Sequence, residues 1–198
     1  PMSVSAGQVL GENDFTYKAL PWHTCETNPA KQTFELTSDG TFHVTVKEPG
    51  GVAAGGESRW DLQFRHRNLT FKAGHTYKIH WEVKVSRPGI QINTKIGNIK
   101  GDEEYWNNNN AGPHGGGTWN PIITINSTEW QKFDSTWTCP QNLEGVEWAF
   151  HYGGAGANQP TPCTQSGDEI WFDNMSIEDT TGSEGDWKAV SYTHLTLP

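Results

Sequence analysis

The stretch Ser58–Arg67 alternates strictly between polar and apolar side chains. Its odd positions carry Arg, Asp, Gln, Arg and Arg, whereas the even positions between them carry Trp, Leu, Phe and His. This alternation predicts a strand over Arg59–Arg67 with one face in a core and the other facing water or a ligand. The outer face presents planar, forked hydrogen-bonding groups, above all Gln63 and Arg65. Such groups pair with neighbouring hydroxyls, as on a sugar ring, so the strand indicates a polar binding surface.

Similar segments of period two recur along the chain, separated by Gly, Pro, Asn or Asp, and almost nothing indicates a helix. Ser38-Asp39-Gly40 predicts a hairpin turn between two of them. Short strands at this spacing predict an all-β fold, a β-sandwich or jelly roll of two antiparallel sheets. The predicted strands are Thr33–Leu36, Thr41–Lys47, Arg59–Arg67, His75–Val85, Ile90–Gly97, Pro121–Asn126, Gln131–Cys139, Val146–Tyr152 and Glu169–Ile177.

The composition argues against several classes of function. The 198 residues carry a formal net charge of −9 and no basic run, which disfavours nucleic acids and anionic membrane surfaces as partners. No apolar run approaches the roughly 18 residues that a membrane-spanning helix needs. Hydrophobic residues make up only 33%, but ten Trp, eight Phe and five Tyr are enough large side chains for the core of one domain.

Residues 100–120 interrupt the strand pattern and predict a long loop. Tyr105, Trp106 and Trp119 lie in it among runs of Asn and Gly, which favours a functional loop over the alternative, a mobile insertion.

Four regions follow from the composition. Residues 1–7 form an N-terminal lead, residues 8–179 the β-sandwich, and residues 180–190 a linker. Residues 191–198 resemble a translated sequencing adapter, which indicates a non-native tail and a metagenomic origin.

The three cysteines, Cys25, Cys139 and Cys163, have no metal-ligand spacing. Two alternatives stay open for them. Cys139 and Cys163 form a disulfide, which secretion would favour, or all three remain free thiols.

Three motifs follow one another in an order that resembles a known family. They are Trp60-Asp61-Leu62-Gln63, the turn into a strand at Leu69–Tyr77, and the closing strand Glu169–Ile177. Asn13-Asp14-Phe15 and Trp22 complete the frame. The chain resembles carbohydrate-binding modules of family 4 and the related families 9, 16 and 22, especially those attached to family 9 cellulases of gut and rumen bacteria.

This resemblance implies a jelly roll whose concave sheet forms an open cleft for one polysaccharide chain. It implies a non-catalytic, monomeric module of a secreted bacterial protein. The module would bind a β-linked plant polysaccharide: amorphous cellulose or mixed-linkage β-glucan, with xyloglucan and xylan as further options. It would thereby target a covalently attached glycoside hydrolase to the plant cell wall. Two other interpretations stay open: a jelly-roll hydrolase or lyase with an unrecognised site, and a structural sandwich that packs on a catalytic domain.

The family's cleft positions map onto particular residues here. Trp60 and Gln63 match one strand, but ideal pleating puts them on opposite faces, so Trp60 needs a bulge or a strand end, or else belongs to the core. His151 matches a cleft histidine, with a surface histidine beside a turn as the alternative. The resulting carbohydrate-binding candidates are Trp60, Gln63, Arg65, Asn93, Lys95, Tyr105, Trp106, Trp119 and His151, of which the Trp and Tyr residues would stack on sugar rings.

Modules of this family often hold a structural Ca²⁺ between the N-terminal segment and the closing strand. Asp173 matches the ligand on the closing strand. The early ligand is usually a Glu, but Thr16 occupies its position, so Glu12 or Asp14 would have to substitute, or the metal is absent.

Overall fold

The computed structural model describes residues 7–10, 15–16, 19–108 and 122–181. Within these residues the chain forms β-strands and two short 3-10 turns, Val52–Ala54 and Arg59–Asp61. The strands are β1 (Trp22–Glu26), β2 (Lys31–Leu36), β3 (Phe42–Glu48), β4 (Leu62–Phe71), β5 (Thr76–Val85), β6 (Ile90–Gly97), β7 (Glu104–Asn107), β8 (Ile122–Ile125), β9 (Gln131–Thr138), β10 (Leu143–His151) and β11 (Glu169–Asp179).

The strands form two antiparallel sheets. In the first, termed the front sheet, the order is β1-β4-β10-β6-β7, and β8 also pairs with β6. The second, termed the back sheet, has the order β2-β3-β11-β5-β9. This sandwich of two antiparallel sheets confirms the predicted all-β class. The described residues contain no helix that is long and apolar enough to cross a membrane.

Stacked aromatic side chains join the two sheets. Phe64 on β4 lies 4.5 Å, centroid to centroid, from both Trp22 of the front sheet and Phe172 of the back sheet. Trp81 on β5 meets Phe150 on β10 edge to face at 5.0 Å. Large rings therefore fill the core despite the low hydrophobic content, and they hold the front sheet rigidly over the back sheet.

Each predicted strand has a counterpart in the structure, some with ends shifted by a few residues, and three larger differences concern the site. β1 is an additional strand. The strand predicted at Arg59–Arg67 begins at Leu62, because Arg59–Asp61 forms a 3-10 turn. The predicted loop over residues 100–120 contains β7, so this part of the loop prediction is wrong. The predicted hairpin turn is present, with the Gly40 N–H donating to the Thr37 carbonyl at 3.0 Å.

All three cysteines are free thiols in this structure. The Cys139 thiol donates to the Gln141 carbonyl at 2.9 Å, while Cys163 accepts from Gln159 Nε2 at 3.1 Å. Of the two alternatives, the structure therefore contains the free thiols.

Candidate binding site

The outer face of the front sheet is polar. Because side chains alternate along a strand, Phe64 and Phe150 enter the core, whereas Gln63, Arg65 and His151 point the other way. The antiparallel register then aligns these outward residues in rows across the sheet. One row contains His23, Arg65, Ala149, Lys95 and Asn107, and the next contains Cys25, Gln63, His151 and Asn93.

A cavity of about 630 Å³ lies on this face, within the size range of ligand clefts. The outward side chains of the front sheet line its base. The turn before β4 and two loops, residues 99–101 and 157–159, line its sides. The structure thus brings together the predicted binding residues Trp60, Gln63, Arg65, Lys95 and His151.

Gln63 and Arg65 are held by a continuous chain of hydrogen bonds. Arg65 Nε donates to His23 Nε2 at 3.0 Å, and Arg65 Nη1 donates to Gln63 Oε1 at 3.4 Å. Gln63 Nε2 donates to the Trp60 carbonyl at 3.0 Å, and His23 Nδ1 lies 3.3 Å from the Pro21 carbonyl oxygen. The chain needs a neutral His23, which agrees with a pKa lowered chiefly by burial. Among the described residues, the remaining guanidinium N–H groups of Arg65 have no acceptor.

Trp60 reaches the cavity because it lies just before β4 rather than within it. The 3-10 turn supplies the strand-end position that the pleat requires. With 38% of its surface exposed, Trp60 does not belong to the core. Its Nε1 donates to Glu57 Oε2 at 2.6 Å, and the guanidinium carbon of Arg59 lies 5.4 Å from the ring centroid. The indole is therefore oriented at the cavity wall before any ligand arrives.

The buried carboxylate of Asp61 stabilises this 3-10 turn. Its side chain is fully buried, and Oδ2 accepts the backbone N–H groups of Gly51 and Glu57, both at 2.8 Å. Ser58 and Asp61 also form a capping box around the turn. Asp61 is therefore not on the polar face that alternation predicts, because the 3-10 turn rotates it inward.

A glycine after β10 holds the same turn against the front sheet. The Gly153 N–H donates to the Arg59 carbonyl at 2.7 Å. A Cβ at Gly153 would lie 2.7 Å from that same oxygen, closer than real Cβ contacts allow. Only glycine permits this approach, so the sequence Gly153-Gly154 helps to position Trp60.

The lining of the cavity concentrates buried titratable groups. Lys95 and Arg59 are each 4% exposed, and His151 is 5% exposed. Burial lowers the pKa of His151 well below its usual value, and the positive charge of Lys95 lowers it further, so His151 is neutral. Burial also lowers the pKa of Lys95, while the carboxylates of Glu147 and Glu104 act in the opposite direction.

Trp106 lies in the core, so its predicted role as a stacking platform is wrong. The register pairs it with Ile96, whose side chain is fully buried. Trp106 is 1% exposed, and its Nε1 donates to Ser135 Oγ of the back sheet at 3.3 Å. The indole therefore joins the two sheets and offers no face to a ligand.

Asn93 and Tyr105 do not line the cavity either. Asn93 shares a row with His151 but is completely buried and has an interaction partner within the protein. Tyr105 packs against the core, and its hydroxyl donates to Glu103 Oε2 at 2.6 Å, which raises the pKa of Tyr105 to about 12. Neither residue therefore lines this cavity, and the ligand contacts of both stay predictions. Trp119 lies outside the described residues.

Several lining residues were not identified from the sequence. Ile99 is 55% exposed and adds a second large apolar side chain to the cavity lining. Asn98 shapes its turn, since Oδ1 accepts the N–H groups of Gly101 and Glu103 at 3.0 and 3.1 Å. The sequence predicts a turn at Asn98, but it does not show that the turn places Ile99 in the cavity. The missed residues are Glu57, Ser58, Arg59, Ile99, Lys100, Gly101, Glu104, Glu147, Ala157, Asn158 and Gln159.

The predicted calcium ligands are only partly described. Asp173 lies on β11, where its Oδ1 accepts the Asn174 N–H at 2.8 Å. Glu12 and Asp14 lie outside the described residues. Within the described ranges, no group of three or more His, Cys, Asp or Glu side chains could hold a metal ion. Calcium binding therefore stays a prediction.

Comparison with known sequences gives two findings. A family model described as a carbohydrate binding domain, CBM_4_9, matches residues 7–162. The cellulose 1,4-β-cellobiosidase of Acetivibrio thermocellus is 30% identical over 160 residues, which cover 72% of this chain and 16% of the relative. The chain thus corresponds to a small part of that protein.

Solved structures share the fold. A structure of a family 4 carbohydrate-binding module has a TM-score of 0.60 at 19% identity, covering 90% of this chain and 100% of the other. The second N-terminal cellulose-binding domain of Cellulomonas fimi β-1,4-glucanase C scores 0.55 at 17% identity, covering 90% and 97%. The CBM22-1–GH10 modules of Clostridium thermocellum xylanase 10B, complexed with xylohexaose, score 0.52 at 12% identity, covering 89% and 29%.

Proposed function

We propose a function from one premise: the chain belongs to the CBM_4_9 family of carbohydrate-binding domains, whose model matches residues 7–162. It is a non-catalytic binding domain with a jelly-roll sandwich. The proposal is that it binds a single chain of a β-linked glucan in the cavity of the front sheet. Amorphous cellulose and mixed-linkage β-glucan are the leading ligands, with xyloglucan and xylan as further options.

The observation that carries this proposal is the hydrogen-bond chain through His23, Arg65 and Gln63. Two adjacent planar groups are held in one orientation before a ligand binds. Their spare donors and acceptors suit the vicinal hydroxyls of a pyranose ring. Pre-orientation also reduces the entropy that binding must overcome, which matters in an open site.

The apolar surface in the proposed site comes from Trp60 and Ile99. Trp60 carries an indole at the cavity wall, where its face can pack against the axial C–H groups of a sugar. Ile99 lies in the turn between β6 and β7 and offers apolar contact without ring stacking. A sugar chain would therefore contact one aromatic and one aliphatic wall above a polar base.

The wider role follows from this binding. The Acetivibrio relative is a cellulose 1,4-β-cellobiosidase, and this chain matches only 16% of it. Attachment to a glycoside hydrolase would hold that enzyme near insoluble substrate and raise its effective concentration. Because plant cell walls lie outside the bacterial cell, the proposed function includes secretion of the protein. We also propose that Asp173 is a ligand of a structural Ca²⁺ ion.

Affinity gel electrophoresis tests the ligand. The purified chain is run through gels containing hydroxyethyl cellulose, barley β-glucan, xyloglucan, xylan or laminarin. We expect one or two β-1,4-linked glucans to retard it and Trp60→Ala to abolish the retardation. Trp130→Ala is the matched control, because Trp130 is equally exposed at 39% but does not line the cavity. Migration unaffected by every polysaccharide would overturn the proposal and favour a domain that packs on a catalytic partner.

A further inference from the structure

Lys95 directs its ammonium group toward the cavity, and no hydrogen bond within the described residues holds this group. The side chain is 4% exposed yet lines the cavity. Its Nζ lies over Gly97, 3.2 Å from the place where a Cβ on that residue would stand. In the part of the chain that the structure describes, no oxygen accepts a hydrogen bond from Nζ, although Glu147 and Glu104 influence its charge. The buried hydrocarbon stem thus carries an ammonium group whose Nζ meets solvent in the cavity, where an oxygen of a ligand can replace water.

Arg65 adds a second positive charge, and no carboxylate of the described residues forms an ion pair with it. Its hydrogen bonds within the described residues go to His23 Nε2 and Gln63 Oε1, and both acceptors are neutral. Arg67, two positions along the same strand, shows the contrast, because its Nη2 pairs with Glu147 Oε1 at 3.4 Å. Arg65 is therefore oriented by its neighbours while its charge remains available.

The register places these two cations on either side of one small residue. Ala149 on β10 pairs with Arg65 on β4 and with Lys95 on β6. Two strand spacings, about 10 Å, separate the backbones of the two cations. Long side chains from both strands can reach a single group placed above Ala149, where a methyl group offers little obstruction. The neutral His151 lies two positions along β10 on the same face.

The charge of the cavity also contrasts with that of the chain. The chain carries −9 overall, whereas the cavity lining has four cations against three carboxylates with His151 neutral. Lys100 pairs with Asp102 Oδ2 at 3.2 Å just outside the lining, so the cavity is balanced in charge rather than acidic. Two of these carboxylates already accept hydrogen bonds from Trp60 and Asn107. The cations are Arg59, Arg65, Lys95 and Lys100, and the carboxylates are Glu57, Glu104 and Glu147.

We propose that the cavity recognises a carboxylate carried by a β-linked polysaccharide, a uronic acid unit, which Arg65 and Lys95 bind together. This inference rests on the proposed function and names a substrate class for the same site. The guanidinium offers two parallel N–H groups to the carboxylate, and the ammonium offers a further donor. Gln63 and Trp60 then contact the neutral part of the sugar chain.

Isothermal titration calorimetry with matched oligosaccharides tests the inference. One pair is cellohexaose and the β-1,4-linked glucuronic acid hexamer, which differ only in carboxylates at C6. The second pair is a xylo-oligosaccharide with glucuronic acid side groups and the same compound after reduction of its carboxyls to hydroxyls. The first pair reports a main-chain carboxylate and the second a pendant one. We expect the acidic member of at least one pair to bind about tenfold more tightly at low salt. This preference should shrink as salt screens the charges.

Variants assign the preference to residues. Arg65→Gln and Lys95→Met should each remove most of the preference for the acidic ligand, while Lys95→Arg should retain it. Lys78→Met removes the same charge from an exposed position on the back sheet and should leave the preference unchanged. Near-ultraviolet circular dichroism verifies that each variant is folded.

The outcomes separate the two proposals. Equal affinity for both members of each pair overturns the carboxylate inference and leaves the proposed function in place. Absence of binding to any oligosaccharide or β-glucan overturns the proposed function and the inference with it. An acidic preference that survives both Arg65→Gln and Lys95→Met overturns the assignment to this site.

Discussion

Arg65 Nε donates a hydrogen bond to His23 Nε2 at 3.0 Å, which joins strand β4 to the neighbouring edge strand β1 on the face of the cavity. A ring nitrogen that accepts a hydrogen bond carries no proton, so the proton must be on Nδ1. Nδ1 lies 3.3 Å from the Pro21 carbonyl oxygen, the acceptor that this tautomer requires. The orientation of Arg65, and through it that of Gln63, therefore depends on a neutral imidazole.

Carbohydrate binding should weaken in acid for this reason. Burial lowers the pKa of His23, so the ring stays neutral at pH 7 and gains a proton only below the usual histidine value of about 6.5. A protonated His23 no longer accepts from Arg65 and repels it. We expect calorimetry with a neutral oligosaccharide to show a severalfold loss of affinity between about pH 7 and pH 4.5.

The variant His23→Leu tests the cause. Without the acceptor, affinity should be low at every pH and the profile should be flat. His43→Leu, which changes a histidine on the back sheet, should keep the acid loss of the parent chain. An acid loss of equal size in His23→Leu would show that another group is responsible.

Trp60 and Trp106 should respond oppositely to truncation. Trp106 is 1% exposed between the sheets, so Trp106→Ala leaves a large cavity and should lower the free energy of unfolding by about 3–5 kcal/mol. Trp60 is 38% exposed, so Trp60→Ala should cost less than about 1 kcal/mol and act on ligand binding instead. Urea unfolding and affinity electrophoresis on both variants measure the two effects. A Trp106→Ala chain of unchanged stability would contradict the burial.

Alternation along a strand made much of the fold and part of the site predictable. β6 extends over the predicted Ile90–Gly97, and parity alone puts Gln63 and Arg65 on one face of β4. The family resemblance then placed Lys95 and His151 on the same surface, where they line the same cavity. Local pattern suffices for these residues because a regular strand leaves each side chain only two directions.

The positions of the remaining site residues depend on tertiary contacts, which the local sequence does not show. Trp106 enters the core because the short strand β7 pairs with β6 and places Trp106 opposite Ile96. A strand of only four residues has too short a pattern to predict this register. Ile99 and Gln159 reach the cavity from loops whose positions depend on docking against other segments. Asp61 departs from the alternation because its carboxylate accepts backbone N–H groups of the preceding loop and does not point to the outer face of the sheet.

Asp61 should therefore matter for both stability and binding. Its buried Oδ2 accepts backbone N–H groups from Gly51, Glu57 and Ser58. Asp61→Ala leaves these donors unsatisfied and should lower the free energy of unfolding by about 2–4 kcal/mol. The turn that carries Trp60 then loses its support, so affinity for the glucan should fall as well.

Asp61→Asn separates charge from geometry. The amide keeps one acceptor oxygen of the same shape, so we expect a smaller loss of stability, about 1–2 kcal/mol. Urea unfolding gives the stability, and calorimetry at a temperature where the variants are folded gives the affinity. Asp61→Ala with parental affinity would show that the turn positions Trp60 without its buried carboxylate.

His80, on the outer face of the back sheet, is stabilised in its protonated form, in contrast to the neutral His23. His80 Nδ1 lies 2.7 Å from Asp134 Oδ1, and Nε2 lies 2.7 Å from Glu82 Oε2. With a carboxylate at each nitrogen, both nitrogens must donate, which requires the charged ring. Burial lowers the pKa of His80, but the hydrogen bonds to Glu82 and Asp134 outweigh it, so the pKa is raised above 6.5.

This raised pKa makes part of the stability depend on pH. The folded chain keeps the His80 proton over a range in which the unfolded chain has lost it, so the stabilisation is full below about pH 6.5 and disappears as pH rises through the folded pKa. His80→Gln should therefore cost stability at about pH 5.5 and nothing near pH 9, with a difference on the order of 0.5 kcal/mol because the pair is partly exposed. Urea unfolding across this range measures it, with Lys78→Gln on the same face of β5 as control. A cost that grows toward alkaline pH would contradict the assigned charge of His80.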